Sequence, residues 1–127
     1  RIHQLGIRSG ERYEFDWARS GHTDFHPFVL DDLEAVLESV GDAPVYFTVD
    51  LDVMDPSVFP GTGTPEPGGV DFLTLMRAVT KVCRAARLVG CDVNELCPPC
   101  DPTGASTAAA CKVIREMLIA IVNKKGR

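Results

Sequence analysis

Residues 45–52 read VYFTVDLD, and this stretch sets the frame for the rest of the chain. Val45–Val49 is a short run of strand-forming residues and predicts a β-strand. Asp50 and Asp52 stand two positions apart, so an extended backbone directs both carboxylates to the same face. Two close anions resist joint ionisation, and hard oxygen ligands suit manganese or magnesium, which favours a metal site. Alternatively, these aspartates start and cap a turn, which is a common role for Asp.

Strands and helices alternate on both sides of this stretch. Apolar runs predict strands at Ile2–Ile7 and Leu88–Val93, and the otherwise irregular residues 11–27 hold a short one near Thr23–Phe25. Apolar residues at helical spacing predict helices over residues 30–40, 72–86 and 105–122, the last with an inner face of Ala110, Cys111, Ile114, Met117, Leu118 and Ile121. The order predicts one α/β domain over residues 1–127, with a mainly parallel sheet and ligands beyond the carboxyl ends of its strands.

Residues 60–69 read PGTGTPEPGG and form a loop that is too rich in Gly and Pro for helix or strand. Its glycines permit close approach of the backbone to a ligand, and its prolines stiffen it. A flexible linker is the alternative, but linkers seldom interrupt a βα unit between a charged strand end and an amphipathic helix. We therefore expect this loop to border a ligand site.

The composition limits the classes of partner. The formal net charge of −5 argues against a nucleic-acid partner, and the excess of acidic residues suits a cationic ligand. The longest apolar run, near residues 118–122, is too short to span a bilayer, so we expect no membrane partner. Five irregularly spaced cysteines predict free thiols in a reducing cytoplasm.

Cys97-Pro-Pro-Cys100 permits another chemistry, because a Cys-x-x-Cys pair can exchange a dithiol for a disulfide. A thiol redox module is therefore a distant alternative function. The Asp101-Pro102 that follows suits a turn better than the helix start of thioredoxin-like proteins, and a zinc site would need a second ligand pair. A structural role is the commoner fate of such thiols.

The residues from Thr48 to Gly69 carry a resemblance to a known family. Thr48-Val-Asp-Leu-Asp52, Asp55-Pro56, Pro60-Gly61 and Gly69 resemble the third signature of the ureohydrolase (arginase) family at every fixed position. In outline the resemblance extends over the whole chain, from the Leu5–Ser9 strand to the last helix. It implies that the chain adopts part of a three-layer α/β/α arginase-like fold.

The resemblance also implies roles for individual residues. Asp50 and Asp52 match manganese ligands, and Thr64 matches the threonine of the Gly-Thr-Gly-Thr-Pro loop at the substrate pocket. Glu95 follows the strand Leu88–Val93 at the separation from Asp50 that the family shows for its guanidinium-binding glutamate, and we expect it to be the catalytic and substrate-binding carboxylate. A carboxylate can accept paired hydrogen bonds from a planar guanidinium group.

The activity implied is hydrolysis of a linear guanidino compound by a hydroxide that bridges two Mn²⁺ ions per complete active site. Residues 65–69, PEPGG, resemble agmatinases, which favours agmatine as the substrate and putrescine and urea as the products, a step of polyamine biosynthesis. Guanidinobutyrases, guanidinopropionases and proclavaminate amidinohydrolase are similar at these positions. Their substrates, and arginine, therefore remain alternative substrates. Ureohydrolases are usually trimers or hexamers, so we expect a homo-oligomer.

Two other signatures of the family, Gly-Gly-Asp-His and Asp-Ala-His-x-Asp, do not occur in this sequence. His3, His22 and His26 stand in different contexts, and we expect surface histidines there rather than ligands. The chain is therefore expected to be the carboxy-terminal portion of a ureohydrolase, inactive alone, with an inert or regulatory fragment as the alternative. In the family's sheet, the strand with Asp-Ala-His-x-Asp lies between the Ile2–Ile7 and Asp50 strands, so both should present open edges that invite aggregation or pairing with a borrowed strand.

Overall fold

A computed structural model describes residues 1–124, in which strands and helices alternate along the chain. The strands are β1 (Ile2–Ile7), β2 (Thr23–Pro27), β3 (Pro44–Asp50) and β4 (Arg87–Asn94). The helices are α1 (Arg12–Trp17), α2 (Leu33–Val40), α3 (Phe72–Ala85) and α4 (Ala105–Lys124). The predicted α/β class is confirmed, and each predicted strand and helix is present with ends that differ by three residues or fewer.

The strands form two parallel pairs, β1 with β2 and β3 with β4. Within residues 1–124 these pairs belong to separate sheets, and β1 does not pair with β3. The resemblance implies the same, because another strand lies between these two in the family's sheet. A cleft of about 1300 Å³ lies between β1 and β3 and is lined along its length by the half-buried apolar side of α2. The facing edges of β1 and β3 therefore both border open space.

The hydrophobic core lies where α3 and α4 pack against β3 and β4. Its fully buried members include Leu51, Phe59, Val79 and Val113, so the segment that follows β3 is part of the core. Asp71 starts α3 by accepting a hydrogen bond of 2.9 Å from the backbone N–H of Thr74, which satisfies a free donor of the first turn. The same core thus fixes the position at which β3 ends.

Two predictions need correction. A short helix, α1, and an irregular helical turn at Ala18–His22 occupy residues that we expected to be irregular, and Glu11 and Glu14 cap α1 reciprocally. In α4, the buried residues are Ser106, Ala110, Val113, Met117 and Ala120. Cys111, Ile114 and Leu118 of the predicted inner face are exposed, because α4 is apolar on more than one side and periodicity alone does not select the side that packs.

No helix among residues 1–124 is long and apolar enough to cross a membrane.

Candidate active site

The carboxyl ends of β3 and β4 bring two of the predicted site residues to the same edge. Asp50 is the last residue of β3 and is paired in register with Asn94, the last residue of β4. Glu95 follows directly with a φ of 67°, a left-handed conformation that disfavours L-residues with a side chain by about 1–2 kcal/mol. Strained backbone of this kind is often found at functional sites, where the surrounding structure maintains it.

Negative charge is concentrated at this edge. The backbone N–H of Asp52 donates to Oδ1 of Asp50 over 3.1 Å, so the two aspartates are held together by a short 3₁₀ turn. Desolvation, with the charges of Asp52 and Glu95, raises the pKa of Asp50 to about 6. A raised pKa at Asp50, with two further carboxylates beside it, marks an environment that suits a cation.

The glycine-rich loop adds the fourth predicted residue. The Thr64 hydroxyl donates to Oδ2 of Asp52 over 3.3 Å. At the neighbouring Gly63, a Cβ atom would lie only 3.9 Å from Oε2 of Glu95, so the loop backbone passes close to that carboxylate. Asp50, Asp52, Thr64 and Glu95 therefore lie together, although they come from three segments of the chain.

Close backbone contacts hold the loop in this position. At Gly61, a Cβ would lie 2.6 Å from Cβ of Ser106, and the Gly61 N–H donates to the Ser106 hydroxyl over 2.9 Å. At the other end, Val70 forms two backbone hydrogen bonds, to Val53 at 3.0 Å and from Asp55 at 3.1 Å. Both ends of the loop are thus fixed, one to the buried Ser106 and the other to the half-buried segment after β3.

Asp55 braces the interior of the same loop. Its carboxylate accepts hydrogen bonds from the hydroxyl and the N–H of Ser57 and from the N–H of Gly68, the last at 2.8 Å. These bonds, the Ser57 hydroxyl foremost, lower the pKa of Asp55 to about 2. Asp55 is therefore ionised at neutral pH and acts as an anchor of the loop.

Sequence reasoning missed Arg8, which connects β1 to the site. Its guanidinium donates to the carbonyl of Asp52 over 2.5 Å, to that of Val53 over 3.0 Å and to that of Glu66 over 2.9 Å. Arg8 stands directly after β1, at the carboxyl end of a parallel strand, where ligands bind in such folds. This position in the sequence could have identified it as a site residue. Arg8 lines the cleft and joins the aspartate turn to the glycine-rich loop.

The histidines lie elsewhere, at β1, β2 and the turn before β2. His3 contacts Asp24 at 2.7 Å, and His26 contacts Asp32 at 2.8 Å, which raises the pKa of His26. His22 contacts the Ser20 hydroxyl and stacks on Trp17. Each His thus has a local partner, and only His22 is exposed; His3 and His26 are half-buried rather than surface residues as expected.

The donor set fits a hard divalent cation but offers only part of its coordination. Asp50 and Asp52 supply carboxylate oxygens, which manganese accepts readily. Within residues 1–124, no group of three or more His, Cys, Asp or Glu side chains is arranged to hold a metal ion. Further ligands would have to come from outside the described residues.

Comparisons with known proteins identify relatives of this chain. The model of the arginase family matches residues 1–120. The chain is 38% identical over 123 residues to the agmatinase of Bacillus subtilis, covering 95% of this chain and 42% of that protein. It is 34% identical over 132 residues to the guanidinobutyrase of Pseudomonas aeruginosa, covering 93% of this chain and 40% of that protein.

A structural comparison gives the same result. A crystal structure of a Clostridium difficile protein superimposes with a TM-score of 0.91 at 44% identity, covering 97% of this chain and 45% of the other. The proclavaminate amidino hydrolase of Streptomyces clavuligerus superimposes with a TM-score of 0.82 at 32% identity, covering 96% of this chain and 43% of the other. This chain thus spans less than half the length of the proteins it matches. By sequence and by fold, the chain belongs to the arginase family.

Proposed function

We propose that this chain is the carboxy-terminal portion of a manganese-dependent ureohydrolase that converts agmatine to putrescine and urea. The observation that carries the proposal is the grouping of Asp50, Asp52, Thr64 and Glu95 at one sheet edge, with the pKa of Asp50 raised to about 6. Such crowded carboxylates suit a metal ion and a cationic substrate together. The similarity to agmatinase and guanidinobutyrase supports a guanidino compound as the substrate class.

In this proposal, Asp50 and Asp52 hold manganese through their ionised carboxylates. Bound manganese, two ions per complete site, would act as a Lewis acid and lower the pKa of water enough to supply hydroxide. Glu95 orients the substrate, because its carboxylate can accept paired hydrogen bonds from a guanidinium group. The Thr64 hydroxyl fixes the Asp52 carboxylate and leaves its own oxygen available as an acceptor for the substrate.

The proposal extends to partners and location. The substrate is a small cation, which the net charge of −5 favours, and the intact protein is a homo-oligomer, a trimer or hexamer, in the cytoplasm. Nucleic acid and membrane are not among the proposed partners. Residues 1–127 alone would be inactive, because they provide two carboxylate ligands for a site that holds two ions.

The test is urea release by the full-length protein with manganese, comparing Glu95→Gln with wild type. Replacing the carboxylate by an amide removes a charge-assisted interaction worth about 1.5–3 kcal/mol, so kcat/KM for agmatine should fall by about 10- to 100-fold. Glu38→Gln, on the exposed side of α2, is the matched control and should retain wild-type kcat/KM. Unchanged kcat/KM in Glu95→Gln would overturn the role of Glu95.

The same assay separates the candidate substrates. Agmatine, guanidinobutyrate, guanidinopropionate and arginine share the guanidinium group that Glu95 would bind, and differ in the charge at the other end or in chain length. We expect the highest kcat/KM for agmatine. A higher value for a guanidino acid would reassign the substrate, and an absence of urea release from all four would favour an inert or regulatory role.

A further inference from the structure

The Cys97-Pro-Pro-Cys100 segment forms a turn in which the two thiols meet. Pro98–Cys100 is a 3₁₀ turn, closed by a hydrogen bond of 3.0 Å from the Cys100 N–H to the Cys97 carbonyl. The two sulfur atoms lie 3.2 Å apart. Cys100 is exposed and Cys97 is half-buried, so a small reagent can reach the pair from solvent.

The backbone on each side of the turn is fixed. The Cys97 N–H donates to the Gly61 carbonyl over 2.7 Å, and the Asp101 N–H donates to the Pro98 carbonyl over 3.1 Å. Asp101 is buried, and its carboxylate accepts a hydrogen bond of 2.7 Å from the Ser106 N–H. A disulfide needs a sulfur separation of about 2.05 Å, so the two sulfur atoms, 3.2 Å apart, have only a short distance to close.

The hydrogen bond between the thiols gives them different roles. The Cys100 S–H donates to the Cys97 sulfur, so the proton is held on Cys100. The same contact raises the pKa of Cys100. Because the thiolate is the nucleophile in thiol–disulfide exchange, Cys97 is the better attacking group.

We propose that Cys97 and Cys100 are a redox modification site, which forms a reversible intramolecular disulfide by exchange with a low-molecular-weight disulfide such as oxidised glutathione. The Cys97 sulfur loses its proton and attacks one glutathione sulfur, and the departing glutathione thiolate takes up a proton. Cys100 then loses its proton and displaces the second glutathione from Cys97 in the same way. Two electrons and two protons pass from the protein to one oxidised glutathione, giving two reduced glutathione molecules.

This inference goes beyond the proposed function and does not depend on it. The pair lies two residues after Glu95, but disulfide exchange needs neither metal nor guanidino substrate. It also differs from a thioredoxin-like oxidoreductase, because the motif lies in a turn and α4 begins only at Ala105. A failure of the thiol chemistry and a failure of urea release would therefore be separate results.

The experiment equilibrates the full-length protein in glutathione buffers from reducing to oxidising, blocks free thiols with an alkylating agent and identifies the peptides by mass spectrometry. We expect the peptide with Cys97 and Cys100 to lose two hydrogen atoms under oxidising conditions and to regain them with dithiothreitol. Cys111→Ser, which removes another exposed thiol, is the matched control and should leave this transition unchanged. The wild-type protein gives the contrary result if Cys97 and Cys100 are still free thiols in a buffer that is oxidising enough to attach glutathione to Cys111. That result would overturn the proposal.

Single variants test whether Cys97 attacks first and Cys100 second. In Cys100→Ser, the resolving thiol is missing, so Cys97 should accumulate one glutathione. In Cys97→Ser, Cys100 should be glutathionylated severalfold more slowly than Cys97 is in Cys100→Ser. Faster modification of Cys100 would overturn the order, and glutathione on both sulfurs of the wild-type protein would overturn the intramolecular disulfide.

Discussion

The adjacent glycines Gly68 and Gly69 allow a matched test of how the loop is held against the aspartate turn. A Cβ at Gly69 would collide with backbone, at 2.5 Å from both the Met54 carbonyl carbon and the Val53 oxygen, and with the Asp55 nitrogen. A Cβ at Gly68 would meet nothing within 4 Å, although its φ of +87° disfavours any side chain. Alanine at Gly69 should therefore displace the loop, whereas alanine at Gly68 should only strain it.

The magnitudes can be worked out from these contacts. Overpacking costs about 1–3 kcal/mol, and loss of the two backbone hydrogen bonds of Val70 adds about 1 kcal/mol each, so Gly69→Ala should cost about 3–5 kcal/mol. Gly68→Ala should cost about 1–2 kcal/mol, the penalty of a left-handed backbone. At about 2–4 °C per kcal/mol, Gly69→Ala should lower the Tm of the full-length protein by about 6–20 °C and Gly68→Ala by about 2–8 °C.

The assay is a thermal melt of both variants, with manganese content measured on the same samples. Gly69→Ala should also reduce manganese content, because Val53 belongs to the turn that carries Asp52 and Asp55 closely follows it. Equal Tm values for the two variants would refute the reasoning, since the backbone collision at Gly69 should cost more than the left-handed backbone at Gly68.

Three further predictions concern stability. Phe59→Ala in the core should lower the free energy of unfolding by about 3–5 kcal/mol in a denaturant titration, and a loss below about 1 kcal/mol would be inconsistent with its complete burial. The carboxylate of Asp55 has a lowered folded pKa, so its contribution is present above its unfolded value near 3.8 and is lost as pH falls towards about 2. Asp55→Asn should flatten the dependence of the free energy of unfolding on pH between these two values, and an unaltered slope would argue against Asp55 as the anchor of the loop. Residues 1–127 alone should aggregate or melt without cooperativity, because two-stranded sheets with open edges are marginal, and a sharp melt of the monomer would contradict this.

Sequence periodicity predicted most of the elements, because buried faces repeat every two residues in strands and every three or four in helices. The helix α1 escaped prediction, since Tyr13 and Trp17 are exposed and the six-residue helix buries no side chain. The packed side of α4 was also predicted only in part. Ala110 and Met117 are buried as expected, while Val113 is buried in place of Ile114 because tertiary contacts select one of several apolar sides.

The candidate site was predictable where its chemistry lies in local sequence. Asp50 and Asp52 could be paired from their spacing, and Thr64 and Glu95 from the resemblance. The left-handed backbone of Glu95 has no local sequence signal, because Glu is not a residue that favours positive φ. The contact of Arg8 with the Asp52 carbonyl joins positions 44 residues apart and depends on how β1 and β3 are placed across the cleft.

The central claim is that Asp50 and Asp52 supply carboxylates to a manganese site. Its most direct test is equilibrium manganese binding by the full-length protein, comparing Asp52→Ala with Asp42→Ala, a change at an exposed turn residue. We expect Asp42→Ala to bind as much manganese as wild type and Asp52→Ala to lose most of it. Undiminished manganese binding by a folded Asp52→Ala protein would contradict the account.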